Sequence, residues 1–350
     1  MTERSGQAGD MGMGTGMGMH EDAQQQTPTA DTAAGEADDS RHATTATTTT
    51  RTISSVTLLA PRLRVEERQL QVAFRARGIA TAHVDAENVS LSVTGGLGDG
   101  GNPFSSSIAM DRAVATEERA TLAALLTAQT GMLVVNRAAT TRLLADRLAL
   151  LRHLDVANLP LPATIVAFSE ASAVAALDEI GVPVLLQSRS VQPSLPDVVA
   201  HDRDTAEALL EHRAMLAGQT LTLLQTYVPG PTLRAVIVGT TVLGIETLTH
   251  VAGSTSGMTF APYTGDDAAR AAVLTLVQAV VARLGSGVYD VKVVLGPDGP
   301  VVVAAGNLVD FRSLSASGID VAGAIVEWVL TTATAPAPAT PTATADGARG

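Results

Sequence analysis

Asp290 and Lys292 stand two apart in the run SGVYDVKVVLGPDG, just ahead of a Pro297-Asp298-Gly299 turn. On a strand, positions two apart leave the same face. Lys292 is the only lysine in a chain with 23 basic residues, so a compact ammonium stands where every other basic site has a planar guanidinium. Two uses are open to it: pairing with Asp290 or Asp310, or holding an anionic ligand as a point charge. The returning arm, VVVAAGNLVDF from Val301, has no carboxylate before Asp310.

Other spacings carry less chemistry. Asp111-Arg112 closes the run SIAMD and either meets an anion or carrier or forms a structural salt bridge. Gly96, Gly98 and Gly101 fit G-x-G-x-x-G, but NPFSSS follows instead of a helix, which favours a loop. None of the seven histidines has H-x-x-x-H or H-E-x-x-H spacing. The string GSTSG at 253–257 has Thr255 at its centre and reads as a turn. Met11, Met13, Met17, Met19 and His20 are soft ligands suited to Cu(I), or simply part of a flexible tail. The absence of cysteine excludes disulfides, a thiolate nucleophile and cysteine-ligated zinc.

These residues need a frame, and composition allows one. Hydrophobic residues make up 46% of 350, enough for two or three packed units. The formal charge is -12, with no basic stripe, so nucleic acid and anionic membrane are not expected partners. The N-terminus lacks the apolar core of a signal peptide, and the run 271–284 is broken by Arg283 and too short to span a bilayer. The chain reads as cytoplasmic. Residues 1–51, rich in Gly, Met and Thr, and the Pro-Ala-Thr stretch 332–350 are expected to be disordered tails.

Between the tails, strand and helix patterns alternate. Strands at 54–60 and 79–85 flank an amphipathic helix over 65–77, and a strand at 107–111, a helix over 116–129 and a strand at 132–136 continue the pattern. That order predicts a mostly parallel sheet. One helix over 138–153 then leads to strands 163–168 and 182–188 around a helix 169–180, and to a helix 203–216. The remainder predicts strands near 221–228, 233–239 and 241–248, a helix over 266–284, a hairpin at 287–305 and a last helix over 320–330. The predicted class is α/β followed by α+β, with domains at 52–136, 137–218 and 219–331.

Several strings resemble the ATP-grasp ligases of the RimK/LysX group: PRLRVEERQLQVAFRARGI, VVNRAATTRLLADRLALLRHLDVANLPLPAT, DTAEALLEHRAML, LLQTYVPGPTLRAVIVG and SGIDVAGAIVEWVL. The resemblance runs over about 55–331 and implies an ATP-grasp fold behind a Rossmann-like pre-ATP-grasp domain. Such enzymes use ATP and Mg²⁺ to activate a carboxylate as an acyl phosphate for attack by an amine. Ligases of the LysX kind join an amino acid to a small acidic carrier protein.

Carried over residue by residue, the resemblance puts nucleotide-binding positions at Arg147, Gln187, Gln225, Tyr227, Val228 and Arg234. Gln187 replaces an expected lysine, and Thr226 an expected acid. SVQPSLPD replaces a glycine-rich phosphate loop, and its Pro193 and Pro196 have no N–H to offer. The positions of the three metal ligands hold Lys292, Ala304 and Gly306, with no carboxylate among them. No catalytic residue and no metal ligand is therefore assigned, and ATP and Mg²⁺ are cofactors only if the family activity persists. The expected function is a degenerate pseudoenzyme that binds or regulates a partner, such as an active ligase paralogue or a small acidic carrier, in a homo- or hetero-oligomer. One alternative is an active carboxylate-amine ligase of lysine or arginine biosynthesis. The other is a binder of non-nucleotide small molecules in the old cleft.

Overall fold

The computed structural model describes residues 53–93, 104–190, 196–217, 221–250 and 258–334. The expected tail 1–51, the G-x-G-x-x-G string, GSTSG, Pro193 and residues 335–350 lie outside the described residues, whereas 332–334 of the expected C-terminal tail are helical and extend the last helix beyond residue 330. Among the described residues no helix is long and apolar enough to cross a membrane.

The first sheet is built from β1 (Ser55–Leu59), β2 (Ala80–Val84), β3 (Ile108–Asp111) and β4 (Leu133–Val135), all parallel in the order β2-β1-β3-β4. Helices α1 (Val65–Arg75) and α2 (Glu117–Thr130) are its crossovers. Val56 and Leu58 pack with Leu70 and Phe74 of α1, while Leu59 packs with Ala123 and Leu126 of α2. Both faces are covered, as a parallel sheet requires. Thr116 starts α2 by accepting the Arg119 N–H at 3.2 Å, and Gly131 ends it in the left-handed region at φ 65°.

The single helix expected over 138–153 is two, α3 (Ala138–Ala145) and α4 (Arg147–Asp155). Asp146 between them is extended, bridges to Ser190, and caps α4 by accepting the Ala149 N–H at 3.1 Å. The apolar period continues through the break, which is why the sequence reads as continuous. The second sheet holds β5 (Thr164–Ala167), β6 (Val184–Gln187), β7 (Val198–Ala200) and β8 (Thr222–Thr226) in antiparallel order β5-β8-β6-β7, backed by α5 (Glu170–Ile180) and α6 (Arg203–Ala217). The strand expected to open the third part is therefore in the middle of this sheet.

The third sheet is antiparallel, β11-β10-β9-β12-β13, from β9 (Thr232–Gly239), β10 (Thr241–His250), β11 (Met258–Pro262), β12 (Gly287–Gly296) and β13 (Gly299–Gly306). One face packs on α7 (Asp267–Leu284), whose Val273, Leu276, Val277, Val280, Val281 and Leu284 repeat at helical spacing against Leu233, Ile237, Tyr289 and Val291. Each such side chain contributes about 1.5–3 kcal/mol on burial. The other face is divided. Val236, Val238 and Val288 share a core with β1, β3 and α9 (Val321–Thr334), which follows the short α8 (Arg312–Ala316). The rest of that face is polar and carries Arg234, Glu246, Asp290 and Lys292.

Candidate functional site

Pairing across the third sheet sets Ala304 opposite Lys292, Lys292 opposite Arg234, and Arg234 opposite Glu246, on β13, β12, β9 and β10 in turn. Directly opposed residues share a face, so these four form one row. Asp290, two residues before Lys292, joins the same face opposite Gly306. The hairpin legible in the sequence thus brings together all three positions that the resemblance assigns to metal ligands.

Arg234 is only 2% exposed. Its Nε donates to Glu246 Oε2 at 3.1 Å, and its Nη2 bonds the same carboxylate and the Asp310 carbonyl. The guanidinium lies 3.5 Å from the centre of the Phe260 ring, and Nη1 is 3.8 Å from Asp290 Oδ2. Burial pushes the Asp290 carboxyl above its ordinary value, with Glu246 adding to the rise while Lys292 and Arg234 oppose it. Lys292 is half-buried and, among the described residues, closes a salt bridge with neither Asp290 nor Asp310. Asp310 is taken instead by Arg312, and although burial works against it, those hydrogen bonds hold its carboxyl at about 2. Two buried oxygens of the cluster, Glu246 Oε1 and Asp290 Oδ1, accept no hydrogen bond.

Arg147 and Gln187 also meet, at an acid that sequence reasoning passed over. Arg147 Nη1 donates to Asp197 Oδ1 at 2.7 Å and to the Ser188 carbonyl at 3.1 Å. Gln187 Nε2 donates to the other oxygen of Asp197 at 3.3 Å. Beside them Arg189 bonds Asp146 at 2.7 Å; burial raises the Asp146 carboxyl, but this bond and the backbone donors of α4 outweigh it and leave it below its ordinary value.

The hinge positions go separate ways. Gln225 is buried and donates to Thr164 Oγ1 at 3.0 Å across the second sheet. Tyr227 is exposed and meets His201 edge-on at 6.2 Å. Val228 packs against Gly296, where an added Cβ would come within 2.7 Å of its methyl.

Glu246, Asp197 and Phe260 were missed by sequence reasoning. Glu246 had a signal, a lone acid between Ile245 and Thr247 on a strand whose alternate positions are apolar. Asp197 had none, because only the approach of β7 to the start of α4 gives it partners.

The family model for the LysX preATP-grasp domain matches residues 56–143, which span the first sheet and α3. A RimK-domain ATP-grasp protein from Sphaerobacter thermophilus is 47% identical, over 79% of this chain and all of that one, with a TM-score of 0.71. This chain belongs to the RimK-domain ATP-grasp family. Its ATP-grasp fold extends to distant structures: D-alanine–D-alanine ligase of Bacillus anthracis is 13% identical over 80% of this chain and 97% of its own, at a TM-score of 0.62. N5-carboxyaminoimidazole synthase of Aspergillus clavatus, in complex with ADP and 5-aminoimidazole ribonucleotide, is 14% identical over 82% of this chain and 78% of its own, at 0.62. In this RimK-type chain the first sheet is the preATP-grasp domain, and the charged row lies on the third sheet.

Proposed function

We propose that this RimK-type chain keeps the ATP-grasp frame without magnesium-dependent ligation and works in the cytoplasm as a binding or regulatory partner, in an oligomer with an active ligase paralogue or beside a small acidic carrier. The row Ala304, Lys292, Arg234 and Glu246 carries the reading. Magnesium needs hard oxygen ligands in near-octahedral array. At the three expected positions stand an ammonium, a methyl group and a glycine. The two acids nearby already face two cations, so the cluster has no net negative charge to offer a divalent ion. These residues do not fit Mg²⁺. Asp197 supports the same reading, because its carboxylate takes the Arg147 and Gln187 donors that a phosphate would need.

A second reading has one observation behind it: the two buried oxygens of Glu246 and Asp290 that accept no hydrogen bond. On that reading the chain remains a carboxylate-amine ligase of lysine or arginine biosynthesis, with a metal held by these unexpected groups.

Calorimetric titration of the full chain with ATP, with and without Mg²⁺, separates the two. It is run beside the Lys292→Asp, Ala304→Glu, Gly306→Asn variant. Gly306 has room for the change, since an added Cβ would lie 3.6 Å from Asp290 Oδ1. Magnesium-dependent ATP binding confined to the variant is the expected result. The same binding by the unmodified chain refutes the first reading.

A further inference from the structure

Helix α1 carries an apolar stripe that its own packing does not use. Leu70 and Phe74 face inward and share a core with β1, which accounts for one side of the helix. On the opposite side Val65, Arg68, Val72 and Ala76 recur at helical spacing. Val65 is 50% exposed and Val72 is 65% exposed. These residues form one wall of a groove of about 610 Å³, and Ile319 and Asp320, between α8 and α9, stand on the other wall. A contiguous apolar groove of this kind, open to solvent, marks a contact surface.

Two ion pairs fix how the walls run. Arg312 meets Glu66 at 3.0 Å at the start of α1, and Arg77 meets Glu327 at 3.3 Å just past its end. The walls therefore run side by side in the same direction, with Arg68 and Asp320 between those two pairs. Arg68 and Asp320 do not pair with each other. Arg68 is exposed and makes no hydrogen bond or ion pair among the described residues. Asp320 uses Oδ1 to accept the Gly323 N–H at 2.8 Å, and among the described residues no cation pairs with it.

The groove thus has one unpaired cation on one wall and one unpaired acid on the other, with no net charge. A partner of a single sign, such as an acidic carrier, would meet a like charge on one wall. A second copy meets an opposite charge on both. A two-fold axis along the groove sets each α1 against the other copy's 319–322 wall, and the contact is then made twice over by the same residues. With a formal charge of -12 two copies repel on average, and that repulsion is least at an apolar patch without net charge. We infer that this groove is where two copies of the chain associate, with Ile319 of each seated between the partner's Val65 and Val72, and Arg68 of each beside the partner's Asp320. The inference rests on the α1 groove and does not depend on whether the nucleotide cleft is active.

The test is sedimentation equilibrium of the full chain, with hydrogen exchange read at low and high concentration. The expected result is a monomer–dimer equilibrium with Kd about 1–50 µM, and exchange over 65–76 and 318–322 that slows as concentration rises. Val72→Glu and Arg68→Asp, both at exposed positions, leave the monomer's melting temperature unchanged and raise Kd at least about tenfold, or 1.4 kcal/mol. An equimolar mixture of Arg68→Asp and Asp320→Arg chains recovers association, because each contact again joins opposite charges. Asp320→Arg gives up the bond to the Gly323 N–H; where that variant fails to fold, the two exposed variants keep the test decisive. Three results overturn the inference: a chain that stays monomeric to about 500 µM, a dimer whose Kd neither Val72→Glu nor Arg68→Asp changes, or protection of 65–76 that is independent of concentration and so marks an intramolecular cover.

Discussion

Replacing Arg234 by Met tests whether this guanidinium is a structural counterion. Met keeps much of the volume and removes the charge. Glu246, fully buried, then loses the only cation at hydrogen-bond distance among the described residues. Removing one partner of a buried pair costs about 3–5 kcal/mol, because the other charge is left without compensation. The Asp310 carbonyl loses a donor worth about 1 kcal/mol, and the Phe260 face loses a cation. The total is at least about 4 kcal/mol, and for a chain of this size about 2 °C of melting temperature goes with each. Arg234→Met should therefore melt about 8 °C low. The Arg234→Met, Glu246→Leu double variant should recover most of that loss, since exchanging a whole buried pair for apolar residues is often neutral. Scanning calorimetry and urea denaturation on the four proteins of the cycle give the coupling energy. A single variant melting within about 2 °C of the parent, or a double variant with simply added losses, refutes the assignment.

Three further outcomes are expected. Asp197→Ala costs under about 1 kcal/mol, because its pair with Arg147 is partly exposed. The same variant gains thermal stabilisation by inorganic phosphate that the parent lacks, and an unchanged response would show that Asp197 does not occupy an anion site. For Asp290→Asn the sign follows from burial, which raises the folded-state carboxyl above its ordinary 3.8. Stability from that proton is complete below the unfolded value and is lost as pH rises through the folded one. Parent and variant should therefore be similar near pH 4 and diverge above it, with the variant more stable at pH 7; parallel melting curves across that range would contradict the buried charge. Gly230→Ala, at φ 146° with its added Cβ 2.0 Å from the Leu295 carbonyl oxygen, should destabilise the link from β8 to β9 by more than about 1 kcal/mol in urea denaturation.

The element order was legible in the sequence because local rules governed it. The βαβ pattern of 54–136 and the antiparallel run from 233 follow from apolar spacing and from turns such as Pro297-Asp298-Gly299. The break at Asp146 was not legible, since an N-cap acid within a continuing apolar period looks like a surface residue until Ser190 bridges to it. The placing of β8 between β5 and β6 was hidden for the same reason, as strand partners depend on contacts distant in the chain.

That Lys292, Ala304 and Gly306 lack metal-ligating carboxylates depends on residue type alone and needs no coordinates. The hairpin followed from the turn, but its register alone would set Lys292 opposite Val303; the irregularity between Lys292 and Val293 is what sets it opposite Ala304. What the remaining charges do depends on contacts made across the folded chain. Arg234 is neutralised by Glu246 from β10, Arg147 by Asp197 just ahead of the edge strand β7, and Arg112 is left with one buried donor unmet. The physical reason is that a charge acts through distance and burial, and neither is a property of the residue type.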